Sequence, residues 1–112
     1  MLSFQRLEVY QRSIEFHALV LRIVADVPRG HAAILDQLRR GAASVPLNIA
    51  EGSGRTGAAD AARSYAIARG SAMECAAALD VCRQLELLED CVYTEGTALL
   101  ERIVAMLTRL CR

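Results

Sequence analysis

Residues 37–55 constrain the fold more than any other part of the chain, because two stripes of different character recur there at helical spacing. One stripe is apolar, as on the buried face of a helix, and consists of Leu35, Leu38, Ala42, Val45 and Ile49. The other is mostly polar and consists of Gln37, Gly41, Ser44, Asn48, Glu51 and Arg55. Successive residues are about 100° apart around a helix, so the two stripes are adjacent. This predicts a helix with two buried or half-buried faces, of which the second is polar.

Pro46 lies inside this pattern. A proline within a helix lacks a backbone donor and crowds the carbonyl four residues earlier, at a cost of about 3 kcal/mol. The alternatives are two shorter helices that break at Pro46 or one kinked helix. The periodicity continues on both sides of Pro46, and small residues precede it, which favours one kinked helix.

The remaining sequence predicts three further helices, so that the set spans about residues 5–26, 32–54, 58–89 and 94–111. The expected core stripe of the first helix is Leu7, Tyr10, Ile14, His17, Leu21 and Val24. That of the third is Tyr65, Ala68, Ala72, Cys75, Leu79 and Cys82, completed by Leu85 and Leu88. That of the fourth is Leu99, Ile103, Met106 and Leu110, after Thr94 as N-cap. Short connections predict one all-α domain over residues 1–112, an antiparallel up-down-up-down four-helix bundle.

Gly70 is predicted to fall in the middle of the third helix. A glycine there costs about 1 kcal/mol relative to alanine, so it needs a structural reason. Close contact with the backbone of another helix would provide one.

The composition excludes several classes of protein. Thirteen arginines balance thirteen acidic residues, and there is no lysine, so the chain has no overall positive charge with which to attract nucleic acid. The sequence has neither an apolar run long enough for a membrane span nor the h-region of a signal peptide, which predicts a cytoplasmic protein. The four cysteines are then expected as thiols, and none form a Cys-x-x-Cys pair. Cys75 and Cys82 fit buried core positions better than zinc ligands.

The sequence lacks recognisable catalytic and cofactor motifs, which favours a non-enzyme. Residues 52–57 match the spacing G-x-G-x-x-G, but a dinucleotide site needs a strand before the glycines, and here a helix precedes them. Neither His17 nor His31 follows a glutamate at the spacing used by di-metal bundles. No serine or cysteine nucleophile has a recognisable histidine base. We therefore expect no catalytic residue, cofactor or metal.

The polar stripe of the second helix suggests candidate residues for a contact with the third helix or with a partner. Asn48, Glu51 and Arg55 on the second helix are expected to face Arg69, Ser71 and Glu74 on the third. We favour a hydrogen-bonded network between the two helices, in which each charge has a partner, so that Glu51→Ala would weaken folding or assembly. The alternative is contact with nucleic acid or another partner through Arg39, Arg40, Arg55 and Arg69. Nearby glutamates would cancel much of that positive field.

Several short motifs in the sequence resemble those of a known family. They are Gln-Leu-Arg-Arg at 37–40, Ser-Val-Pro at 44–46, Asn-Ile-Ala-Glu-Gly at 48–52 with Arg55, Ile-Ala-Arg-Gly-Ser at 67–71 with Glu74, and Phe4 with Leu-Glu-Val-Tyr-Gln at 7–11. The sequence resembles four-helix bundle proteins related to 23S ribosomal RNA intervening-sequence proteins. The resemblance implies assembly as a ring of five copies. It also implies kinship with accessory proteins of diversity-generating retroelements, which bind a reverse transcriptase and nucleic acid.

The preferred hypothesis is therefore a non-enzymatic, homopentameric four-helix bundle that serves as an assembly or scaffold protein. The alternative is an RNA- or DNA-binding accessory protein that uses arginines clustered on the assembled ring.

Overall fold

Helices account for nearly all of the regular structure in the computed structural model, which describes residues 1–112 and contains no strand. A short 3₁₀ helix, Ser3–Arg6, is followed by α1 (Glu8–Asp26), α2 (Ala32–Gly54), α3 (Ala58–Gln84) and α4 (Asp90–Leu110). The all-α class with four helices is thus confirmed.

The four helices surround one core in chain order. The backbones of α1 and α2, α2 and α3, α3 and α4, and α4 and α1 lie side by side, whereas those of the diagonal pairs do not approach each other. Ion pairs show the direction of α1 against α4: Arg102 pairs with Glu8 near the start of α1, and Glu95 with Arg22 near its end. These two helices are therefore antiparallel, and short connections impose the same relation on the other neighbours. The molecule measures 44 × 23 × 20 Å.

α2 is a single helix that passes through Pro46, which is buried. The interpretation as two shorter helices is therefore wrong. All five members of the predicted apolar stripe are buried, as expected: Leu35, Leu38, Ala42, Val45 and Ile49. Their burial in the common core stabilises the helix against the loss of one backbone hydrogen bond at the proline.

The predicted core face of α1 is wrong, because the face that the structure buries is rotated around the helix from the predicted one. The residues that α1 buries are Val9, Ser13, Phe16, Leu19, Val20 and Ile23. In the predicted stripe, Ile14 is 44% exposed, Leu21 is 49% exposed, and the other members are half-buried. α1 is apolar around more than half of its circumference, so helical periodicity alone could not show which of two adjacent stripes faces the core.

The connection between α3 and α4 lies earlier than predicted. α3 ends at Gln84, and α4 begins at Asp90 with Glu89 at the N-cap position, so residues 90–93 form the first turn of α4 and Thr94 is not the N-cap. Glu86 has φ +60°, and Leu87 N–H donates to the Cys82 carbonyl at 2.9 Å. This is a Schellman ending, which usually has glycine where Glu86 stands, so its usual sequence signal is missing.

The later stripes are only partly buried as expected. On α3, burial holds from Ala68 to Cys82, but Leu85 is 47% exposed because the helix ends before it. On α4, Ile103 is the one residue of the predicted stripe that is fully buried. The other buried residues of this helix, Gly96, Leu100 and Leu107, were not in the predicted stripe.

Gly70 does not contact another helix of the chain. A Cβ atom at this position would have no neighbour within 4 Å. Close approach occurs instead at Gly41, Gly52 and Gly96, where an added Cβ would come within 3 Å of a side chain on a neighbouring helix.

Candidate functional site

A small polar cluster joins α2 to α3 at the middle of their contact. Ser44 Oγ and Ser71 Oγ are 2.8 Å apart and share a hydrogen bond. Asn48 Nδ2 donates to the Ser44 carbonyl at 2.9 Å and to Ser44 Oγ at 3.0 Å. The structure therefore brings two of the six predicted network residues, Asn48 and Ser71, into one cluster through Ser44.

Glycines on both sides of this cluster allow α2 and α3 to approach closely. A Cβ at Gly41 would lie 2.7 Å from Cys75 Sγ, and a Cβ at Gly52 would lie 2.8 Å from the Tyr65 ring. The face of α2 that was predicted to be polar is thus the face that packs against α3. It combines small residues for contact with a few hydrogen-bonding groups.

The charged residues of the predicted network lie elsewhere. Arg55 pairs with Glu51 on the same helix, and both side chains are about half exposed. Arg69 Nε donates to Thr108 Oγ1 at 2.8 Å, so this side chain faces α4 instead of α2. Glu74 is exposed and forms no ion pair within the chain.

This placement changes the expected effect of Glu51→Ala on folding. An exposed pair four residues apart on a helix contributes about 0.3–0.5 kcal/mol. The substitution is therefore expected to have little effect on the stability of the folded chain.

The four arginines considered for a nucleic-acid contact are dispersed. Arg40 pairs with Asp36 at 3.1 Å, and Arg55 and Arg69 have the partners described above. Arg39 is exposed and has no ion-pair partner. Residues 39 and 55 are separated by about 24 Å along α2. One copy of the chain therefore presents no compact cluster of these arginines.

The cysteines include two buried thiols. Burial, with a smaller contribution from the charge of Glu74, raises the pKa of Cys75 to about 12. Burial also raises the pKa of Cys82. Cys91 is exposed, and all four cysteines are free. No group of three or more histidine, cysteine, aspartate or glutamate side chains could hold a metal ion.

An apolar groove of about 300 Å³ opens on the surface between α1 and α2. We call it the α1–α2 groove, and it is lined by Phe4, Tyr10, Ile14, His17, Ala43, Pro46, Leu47 and Ala50. Leu47 stands at its edge with 68% of its surface exposed. Several lining residues belong to the stripe that the sequence predicted as the core face of α1. In this chain the stripe is only partly buried.

A second uncovered surface runs along α3 on the side away from the core. We call it the outer stripe of α3, and it consists of Ala66, Gly70, Met73, Ala77 and Val81. All five residues are exposed, including 46% of Met73 and 41% of Val81. Helical periodicity did not single out this stripe, because its members are mostly alanine and glycine, which are typical of neither a core face nor a polar face.

Comparisons with known proteins agree with this fold. The family described as "23S rRNA-intervening sequence protein" matches residues 5–109. A crystal structure at 1.70 Å resolution, of a protein of unknown function from the S23 ribosomal protein family of Bacteroides thetaiotaomicron VPI-5482, has a TM-score of 0.85. The two sequences are 20% identical, and the match covers 93% of this chain and 98% of that one. No curated protein matches the sequence. None of the helices is both long and apolar enough to span a membrane.

Proposed function

The chain belongs to the 23S rRNA-intervening sequence protein family, and we propose that it is a non-enzymatic assembly protein that associates with copies of itself. The observation that carries this proposal is the pair of uncovered apolar surfaces, the α1–α2 groove and the outer stripe of α3. Contiguous exposed apolar surface marks sites of interaction. A helix that is apolar on both faces is typical of one that is buried on both faces.

The distribution of apolar residues supports association over catalysis. Ile14, Leu47 and Met73 would all be solvated in an isolated chain, at 44–68% exposure. Burying such side chains is worth about 25 cal/mol for each Å² removed from water. The polar cluster of Ser44, Asn48 and Ser71 is satisfied within the bundle, and it contains no acid, base or nucleophile set.

We propose a closed ring of five copies in the cytoplasm, where the four thiols would stay reduced. The number five comes from the resemblance of the sequence to ring-forming proteins. Two different surfaces on one chain fit a ring, because a head-to-tail contact that closes on itself generates cyclic symmetry.

The nucleic-acid-binding alternative has less support. Arg40 and Arg55 already pair with carboxylates, and Arg69 is bonded to Thr108. A positive rim would have to arise from arginines of neighbouring copies, against a formal net charge of zero.

Native mass spectrometry of protein purified without nuclease tests both ideas. A mass of five chains with nothing attached is expected. Extra mass that nuclease removes would support the nucleic-acid alternative instead. A monomer at micromolar concentration would contradict the proposed assembly.

A further inference from the structure

We propose that the outer stripe of α3 of one copy seats in the α1–α2 groove of the next copy, with Leu47 packed over Gly70 and the two helices antiparallel. This pairing rests on the proposed self-association and specifies the surfaces that meet.

The shapes of the two surfaces are complementary. Leu47 lines the groove and is 68% exposed, so much of its side chain extends into solvent. Gly70 lies in the middle of the outer stripe, and the space where its Cβ would be is open. Ala66 and Ala77 beside it are also small. A projecting leucine can therefore reach the α3 backbone at Gly70, which gives this glycine the helix contact that the chain does not supply by itself.

The two surfaces point in different directions, which favours a head-to-tail contact. α1 and α3 are diagonal in the bundle, and their backbones do not lie side by side. The groove lies between α1 and α2, and the outer stripe lies on α3 away from the core. When each copy presents both surfaces, every copy can use its groove for one neighbour and its stripe for the other.

The charges beside the contact favour the antiparallel orientation. Arg39 on α2 and Glu74 on α3 are exposed, and neither has an ion-pair partner within the chain. Arg39 precedes Leu47 and Glu74 follows Gly70, so antiparallel helices place these opposite charges on the same side of the contact. Parallel helices would instead place Arg39 on the same side as Arg63, and like charges cost binding free energy.

A ring gives this orientation without further adjustment. α2 and α3 run antiparallel within one copy, because Ser44 meets Ser71 and the earlier Leu38 meets the later Cys75. Rotation about an axis along the bundle leaves the direction of every helix unchanged. α2 of one copy and α3 of its neighbour are then antiparallel as well.

The test uses two variants, each of which removes one surface. Leu47→Asp places a charge at the groove, and Gly70→Glu places a bulky charge in the outer stripe. Each variant is expected to be monomeric alone in light scattering after size exclusion, because its self-contact needs both surfaces. An equimolar mixture is expected to form a dimer, since Gly70→Glu retains the groove and Leu47→Asp retains the stripe. Leu110→Asp on α4, outside both surfaces, should assemble like the wild type.

Circular dichroism separates loss of assembly from loss of folding. Glutamate is a better helix former than glycine, so monomeric Gly70→Glu should melt at a higher temperature than monomeric Leu47→Asp. A monomeric wild-type protein would contradict both this pairing and the proposed function. An oligomeric wild type whose folded variants stay monomeric when mixed would overturn the pairing alone. Persistent assembly of either folded single variant would also overturn it.

Discussion

Gly41 of α2 lies directly against Cys75 of α3, so that a Cβ at position 41 would come within 2.7 Å of the Cys75 sulfur. Cys75 Sγ also lies 3.9 Å from the Leu38 carbonyl, towards which its thiol points. The sulfur thus occupies the space that the glycine leaves open. The distance between α2 and α3 at this point therefore depends on Gly41 and Cys75 together.

Gly41→Ala is expected to destabilise the protein despite the higher helix propensity of alanine. Overpacking in a core costs about 1–3 kcal/mol, against about 1 kcal/mol gained in propensity. In a Cys75→Ala background the same substitution should be neutral or stabilising, because the clashing sulfur is absent. Urea unfolding of the four chains measures this coupling. Equal effects of Gly41→Ala in both backgrounds would show that the contact does not limit packing.

Ser71→Ala is expected to lower the free energy of unfolding by about 0.5–1.5 kcal/mol, the usual value of one hydrogen bond. Ser44→Ala should cost more, because Ser44 Oγ bonds to Ser71 and also accepts from Asn48. Ser3→Ala, at an exposed position, serves as the control. Chemical denaturation of the three variants gives the ranking, and equal losses at Ser44 and Ser71 would contradict the described cluster.

Cys75 is expected to make the fold sensitive to alkali. An unfolded thiol ionises near pH 8.5–9, whereas burial holds the pKa of folded Cys75 at about 12. Between these values the unfolded chain binds fewer protons, so stability falls as pH rises, by at most about 1.4 kcal/mol per pH unit for one group. The slope falls towards zero as the pH drops below the unfolded pKa, because the thiol is then protonated in both states.

The measurement is urea unfolding between pH 8 and 10.5 under reducing conditions, for the wild type and Cys75→Ala. The variant should keep a shallower slope, because burial also raises the pKa of Cys82 and of Tyr65. Identical slopes in the two proteins would show that Cys75 ionises as readily folded as unfolded.

Charge reversal tests the orientation of the proposed contact between copies. Arg39→Glu and Glu74→Arg are each expected to weaken assembly about tenfold, equivalent to 1.4 kcal/mol. Combining them in one chain should restore it, because the opposite charges again face each other. Arg109→Glu on α4, which is exposed and lies outside both surfaces, is the control. Analytical ultracentrifugation measures the dissociation constant of each variant. If Arg39 and Glu74 do not meet, the double variant should lose as much affinity as the two single variants combined.

Helical periodicity was sufficient for much of the fold. It gave four helices, the buried stripe of α2 from Leu35 to Ile49, and the continuity of that helix through Pro46. It failed where the local signal was ambiguous. Glu86 adopts the left-handed conformation usually given to glycine, and the end of α3 was therefore placed too late.

The candidate site was predictable only in part. Glycine and serine at helical spacing indicated the side of α2 that packs on α3. Ser71 of α3 does contact this side, through its hydrogen bond with Ser44. Arg69 was assigned to the same interface, yet it bonds to Thr108 on α4. Sequence spacing fixes angles around one helix, but the partner of a long side chain depends on how the helices are rotated against each other.

The sequence by itself determined that the chain forms amphipathic helices and which stripes on them are apolar, since propensity and periodicity are local properties. Only the tertiary structure decided which apolar stripes enter the common core and which remain on the surface. A four-helix core has room for a limited number of side chains, and α1, α2 and α3 together carry more apolar surface than it can bury. Ile14, Leu47 and Met73 are exposed for this reason.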